Sequence, residues 1–395
     1  MEEKSLQERM AVSRRYLLQA LGISAVAAPF ASLLSPSASA QGRCIRQWNT
    51  PACNTDPIPE VFEKTGWRTV GLHSLNWDVA EPEKEAAWYE AFMGWKTRSV
   101  DANKVVIDMG DWGTSTFNKA PESRFPEPAA GRGGGAGAAG GGRANQPPPQ
   151  KVRAIVTGFA WDIEPWDAKA VEAALTSRGL KPVAENNGAY QSFKIADPDG
   201  FPLWVGNGQG HTAARKKGIG GGTLSVPLPF EPTGWKTVWL DHLSFGATNY
   251  KKTVSFYKQL LHWDPTYDEG SQNEVMIGDI GNAIIRGGNP LDPGFGGPGG
   301  RTSASIDHIS FGVWTGGPWD STKVSDETKK RGLMISTDTS DGAPIETAQY
   351  KSYHTRTTMN YNLQYSYNDH DTRLNLAISV NPRRPGINPA PKPQQ

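Results

Sequence analysis

Gly234-Trp235-Lys236-Thr237-Val238-Trp239-Leu240-Asp241-His242-Leu243-Ser244-Phe245-Gly246 decides the fold, because the chain repeats parts of it elsewhere. Its opening recurs as Gly66-Trp67-Arg68-Thr69-Val70, leading into the apolar run Leu72-His73-Ser74-Leu75-Asn76-Trp77. Each run is followed by a stretch of helical character, residues 83–92 and residues 250–261, and then by Gly94-Trp95 or His262-Trp263. A shared order of this length marks a duplication. A second level lies inside each copy. Ile306-Asp307-His308-Ile309-Ser310-Phe311-Gly312 echoes Leu240 to Gly246, and Val156-Thr157-Gly158-Phe159-Ala160-Trp161-Asp162 takes the corresponding place in the first half. After Asp162, Ala168, Val171, Ala174 and Leu175 are spaced for one helix face over residues 167–178. A short strand follows Gly179, and then two strands, over residues 191–196 and 201–205, joined by the tight turn Asp197-Pro198-Asp199-Gly200. The pattern predicts an α+β protein of four βαβββ modules arranged in two pairs.

The connectors agree. Residues 126–149 are Gly/Ala/Pro-rich, cannot bury a core, and fall between the first two modules. Residues 291–300 fall at the equivalent junction of the second pair. The organisation expected is a domain over 66–210, a linker over 211–233, a second domain over 234–380 and a Pro-rich tail over 381–395.

Residues 1–40 read as an address. Ser13-Arg14-Arg15-Tyr16-Leu17-Leu18 is a paired-arginine region entering an uncharged Ala/Leu-rich stretch, and Ala38-Ser39-Ala40 supplies a small-residue cleavage pattern before Gln41. The expectation is a twin-arginine signal peptide handled by the twin-arginine export machinery, and a periplasmic or secreted protein. No later stretch approaches the ~20 apolar residues of a spanning helix. The chain has 41 basic and 40 acidic side chains; removing the signal leaves 37 of each, so no basic footprint for nucleic acid is present. The two cysteines, Cys44 and Cys53, lie in the arm 41–65. In an oxidising compartment their spacing suits a small disulfide loop; the rival reading, a metal or redox pair, has no histidine near it in sequence.

The strand–helix–strand–strand–strand module, duplicated and paired around a cleft, resembles the vicinal oxygen chelate superfamily of glyoxalase-like lyases, extradiol dioxygenases and fosfomycin- and bleomycin-resistance proteins. The resemblance spans nearly all of residues 66–380. Gly158-Phe159-Ala160-Trp161, the 167–178 helix and Phe193 to Val205 with its Asp-Pro-Asp-Gly turn carry it most specifically.

The resemblance implies a divalent metal (Fe, Zn, Mn or Ni) held by His on the first strand of each module and Glu on the last, chelating two neighbouring oxygens of a small-molecule substrate, with aromatic compounds among the candidates. In the second half the first-strand positions are His242 and His308. In the first half they are Ser74 and Gly158, the last-strand position is Trp204, and strand alternation turns His73 to the other face. The first half is therefore expected to be structural, with Trp77, Trp161 and Trp204 filling its cleft. The second half lacks the carboxylate. Its last strand is read over 369–376, where the position falls on Asn375 or Leu376, and His354, Asp369, His370 and Glu346 are the candidates to complete the site. His242, His308 and His354 form the candidate ligand set, and Tyr361 and Tyr365 are the candidate acid–base or substrate-orienting groups. Alternation puts Tyr361, Tyr365 and Tyr367 on one strand face, which suits an aromatic wall equally. Two functions follow: a metal-dependent dioxygenase- or glyoxalase-like enzyme with its cleft in the second half, or a non-catalytic protein of the same fold that sequesters a small molecule.

Overall fold

A computed structural model of the chain describes residues 45–47, 50–51, 60–110, 113–127, 150–187, 190–211, 220–268, 272–278, 280–287, 303–339, 344–348 and 350–367. The signal region, Cys44, Cys53, most of the 126–149 segment, Asp369, His370 and the tail lie outside the described residues. No helix among those described is long and apolar enough to cross a membrane.

After a short hairpin, β1 (Ile45–Gln47) and β2 (Thr50–Pro51), the first half runs β3 (Arg68–Val79), α1 (Pro82–Met93), β4 (Lys96–Asp101), β5 (Lys104–Asp108), β6 (Thr114–Lys119), β7 (Ala154–Glu164), α2 (Ala168–Ser177), β8 (Val183–Asn187), β9 (Tyr190–Ala196) and β10 (Pro202–Asn207). The second half repeats this with β11 (Lys236–Gly246), α3 (Tyr250–Leu261), β12 (Asp264–Asp268), β13 (Gln272–Ile277), β14 (Gly281–Arg286), β15 (Ser305–Trp314), α4 (Ser321–Lys330), β16 (Ser336–Asp338), β17 (Ser352–Arg356) and β18 (Asn362–Ser366). Each half is one eight-stranded mixed sheet, ordered β4-β5-β6-β3-β7-β10-β9-β8 and β12-β13-β14-β11-β15-β18-β17-β16. The first strands of paired modules, β3 with β7 and β11 with β15, are antiparallel neighbours at the centre of each sheet. This is the α+β arrangement of four βαβββ modules predicted from the repeats.

The helices begin where the sequence supplies caps. Asp167, Asn249 and Asp320 each accept a hydrogen bond from the backbone N–H three residues on, and Pro82 opens α1. Helices α1 and α3 both end in a left-handed residue, Gly94 (φ 68°) and His262 (φ 60°). At Gly94 a Cβ would stand 2.1 Å from the Trp235 carbonyl oxygen, so that position requires glycine.

The repeated Gly-Trp-x-Thr segment joins the halves. Thr65 N–H donates to Gln259 O and Thr233 N–H to Ala91 O, both at 2.9 Å. The Thr65 hydroxyl reaches Leu260 O and the Thr233 hydroxyl reaches Phe92 O, both at 2.7 Å. Trp95 Nε1 donates to Thr237 Oγ1 (2.8 Å) and Trp263 Nε1 to Thr69 Oγ1 (3.0 Å). Each half thus satisfies the last carbonyls of the other half's first helix, groups that have no partner within their own helix. Phe92 packs on Trp235 and Tyr365, and Phe159 on Tyr257 and Trp263, so the halves share one apolar core.

Candidate functional site

All four central strands carry a β-bulge at the same place. In β11 the core-facing residues are Leu240, Leu243 and Phe245, with the pairing register shifting between Leu240 and His242. The same spacing recurs as Leu72, Leu75, Trp77 in β3, Val156, Phe159, Trp161 in β7 and Ile306, Ile309, Phe311 in β15, each with a register shift. A bulge sets two consecutive side chains on one face, here the cleft face opposite the core. The pairs placed there are His73–Ser74, Thr157–Gly158, Asp241–His242 and Asp307–His308.

In the second half this builds a matched pair of Asp-His units. His242 Nε2 and His308 Nε2 face each other at 3.2 Å with the rings crossed at 82°. His242 Nδ1 lies 3.3 Å from Asp241 Oδ2, and His308 Nδ1 lies 3.5 Å from Asp307 Oδ1. Asp241 is itself fixed, accepting from Ser310 Oγ (2.9 Å) and Tyr350 Oη (2.7 Å). Asp307 accepts from Arg286 (2.5 Å), which also reaches Ser244 Oγ. Burial pushes the His308 ring down to about pH 4, overriding the opposing pull of Asp307, so the ring is neutral at pH 7. Two imidazole nitrogens each about 2.1 Å from one ion would stand about 3.2 Å apart at an angle near 100°. The observed separation fits this, and each adjacent carboxylate is placed to polarise the ring nitrogen remote from the ion.

The other expected site residues fall as follows. His354 on β17 brings its ring centroid to 5.1 Å from that of His308, but its Nδ1 faces Asn362 Oδ1 (3.1 Å) and its Nε2 faces Asp338 Oδ2 (3.5 Å). Its ring meets that of His308 edge-on, at 77°. Glu346 is exposed and lines a cleft beside α4 with Thr322, Lys329 and Tyr353. Residues 369–376 lie outside the described residues, and the described strand lying parallel to β15 is β18. Its register pairs Ser310 with Gln364, so the cleft-facing residues there are the amides Asn362 and Gln364.

Tyr361 and Tyr365 alternate with Leu363 on the core face. Tyr361 packs on Trp77 with centroids 4.8 Å apart, and the Tyr365 hydroxyl is 2.8 Å from Thr328 Oγ1. Burial pushes both phenols above their ordinary range. Neither is brought to the histidines, and the structure gives both a packing role. Trp77 and Trp161 are likewise core residues. Of the three tryptophans expected to fill the first cleft, Trp204 does so: a Cβ at Gly158 would meet its ring at 2.7 Å. The first-half position equivalent to His308 is thereby covered.

The first half nevertheless holds a cluster the sequence reading passed over. The bulge keeps His73 on the cleft face, against the alternation expected of a regular strand. One ligand atom from each of His73, Asp162 and His211 lies within 4.8 Å of the other two. His211 Nδ1 hydrogen-bonds Asp162 Oδ2, and His73 Nδ1 stands 4.0 Å from Asp162 Oδ1. Tyr190 stacks on His73 at 3.8 Å and 7°. A Cβ at Gly206 would lie 1.9 Å from the Tyr190 hydroxyl, and Cβ atoms at Gly71 and Gly208 would crowd the Asp162 side chain at 3.1 and 3.2 Å.

No family model matches the sequence, and no curated protein matches it. Among solved structures, the chain is similar to the Mn(II)-bound glyoxalase from Novosphingobium aromaticivorans, with a TM-score of 0.48 and 14% identity over 76% of this chain and 82% of that one. It is also similar to the 2,3-dioxygenase LapB from Pseudomonas sp. KL28, with a TM-score of 0.48 and 11% identity over 76% of this chain and 92% of that one. A third likeness is to an extradiol ring-cleaving dioxygenase from B. fuscum, with a TM-score of 0.46 and 13% identity over 79% of this chain and 75% of that one. The fold described above rests on strand order and register, not on these likenesses.

Proposed function

We propose that the protein is a metal-dependent enzyme of the vicinal oxygen chelate type, acting in the cleft of the second half on a small molecule with two neighbouring oxygens. The observation that carries this reading is the 3.2 Å approach of His242 Nε2 and His308 Nε2, each ring backed by its own bulge aspartate. His242 and His308 would hold a divalent ion, and Asp241 and Asp307 would orient them. Bound there, the ion supplies Lewis-acid polarisation of the substrate oxygens. Arg286 sets a positive charge at the rim of the same cleft through its contacts with Asp307 and Ser244. Whether ring cleavage, lyase or isomerase chemistry follows depends on the substrate.

The amides Asn362 and Gln364 favour a second reading, in which the cleft sequesters its ligand without turning it over. Metal analysis decides between them. A loss of about one equivalent of Fe, Mn, Zn or Ni on His242→Ala/His308→Ala, relative to the unaltered protein, is expected of the enzyme. A difference of less than about a tenth of an equivalent between the protein and the variant would remove it. Export by the twin-arginine route, to the periplasm or beyond, belongs to the same proposal, as does a Cys44–Cys53 disulfide formed after export. Its support is the Arg14-Arg15 pair and the Ala38-Ser39-Ala40 cleavage pattern, and fractionation of an Arg14→Lys/Arg15→Lys variant tests it.

A further inference from the structure

We infer that His73, Asp162 and His211 form a second metal site, in the first half of the chain, taking a divalent first-row transition ion. The site does not use the positions of the second-half pair. Its aspartate lies near the end of β7, four residues beyond Gly158, and one of its histidines is the bulge residue that corresponds to Asp241 rather than to His242. His211 follows β10.

Three observations support a ligand-binding role over a packing one. The donors converge: two imidazoles and a carboxylate, each able to place one atom within 4.8 Å of the others. That donor set suits Zn(II), Mn(II), Fe(II) or Co(II). The pocket is built around the carboxylate, since Gly71 and Gly208 leave the room a side chain would take from Asp162, and Gly206 leaves the room for the Tyr190 ring that stacks on His73. Finally, His211 is 6% exposed, and its Nε2 is buried without a hydrogen-bond partner while Nδ1 is held by Asp162. With no partner on Nε2 to fix the ring elsewhere, Nδ1 can exchange its hydrogen bond to Asp162 for an ion that the carboxylate shares. His73 is the most exposed member, with 23% of its side chain accessible, so it marks the side from which an ion would enter.

The test is run in the His242→Ala/His308→Ala background, which removes the other site, with Zn(II) alone as the probe. Equilibrium dialysis should give about one equivalent of Zn(II), falling below about a tenth when His73→Ala and His211→Ala are added. No Zn(II) in the two-histidine background would overturn this site and leave the second-half proposal standing. Equal Zn(II) with and without the added substitutions would overturn the ligand assignment. Should the fourfold variant fail to fold, Asp162→Asn replaces the two alanines, and the readout becomes the rise in Tm on adding Zn(II). The rise should be present in the background and absent with Asp162→Asn; an undiminished rise overturns the site.

Discussion

Glu85 sits in the first turn of α1, fully buried, where its Oε2 accepts a 3.0 Å hydrogen bond from Met359 N–H in the other half. Burial pushes its carboxyl from 4.5 up to about 7, against the pull of the hydrogen bonds from Thr357 and Met359. The folded pKa is the higher one, so the stabilising effect is complete below pH 4.5. It is lost as pH rises toward 7, because the unfolded chain releases its proton first. The full shift corresponds to a loss of about 3 kcal/mol above neutral pH. Glu85→Gln keeps an acceptor for Met359 and cannot ionise. It should raise the urea midpoint at pH 8 by the equivalent of about 1–3 kcal/mol and change it little at pH 4. A gain of the same size at both pH values would show that the carboxyl is not the titrating group. Such a residue is legible only in part from sequence. Glu85 falls in a predicted helix, but nothing in a run of Glu and Ala says that its face meets a loop more than 270 residues away.

At the scale of the element, the bulge separates what the sequence disclosed from what it hid. The repeats revealed four modules and picked out His242 and His308, because two copies of one Asp-His frame are hard to produce by chance. Regular alternation then misassigns the neighbouring residue, placing Asp241 and His73 on the core face. The contrary signal is present in the apolar spacing: Leu72 to Leu75, Val156 to Phe159, Leu240 to Leu243 and Ile306 to Ile309 are each three apart, which a regular strand cannot bury on one face. Asp162 falls at the place of Gly312 in the repeat, so a search for repeats passes it by. The bulge also yields a prediction. If Asp241 and Asp307 tune the histidines, Asp241→Ala and Asp307→Ala should each weaken Zn(II) binding at the His242–His308 pair by about 10- to 100-fold with both histidines intact. Competition against a chromophoric chelator measures this. Affinities equal to the unaltered protein would make the carboxylates bystanders.

For the whole molecule, the joint between the halves governs stability. The motif that exposed the duplication, Gly-Trp-x-Thr, is the segment each half uses to cap the other's first helix. Thr69 Oγ1 both donates to Leu261 O (2.9 Å) and accepts from Trp263 Nε1 (3.0 Å), and Thr237 Oγ1 accepts from Trp95 Nε1 (2.8 Å) in the mirrored contact. All of these groups are buried. Replacing either threonine with valine keeps its shape but strands a buried indole N–H, at a cost of about 1–3 kcal/mol. Because the contacts cross between halves and the core is shared, neither loss can be confined to one half. Thr69→Val and Thr237→Val should therefore each lower a single calorimetric transition, with the van't Hoff and calorimetric enthalpies remaining equal. The two sites share no partner, so the double variant should show the sum of the two losses to within about 0.5 kcal/mol. Two resolved transitions, with Thr69→Val moving only one of them, would mean that the halves fold as separate domains and that the exchanged caps only decorate their contact.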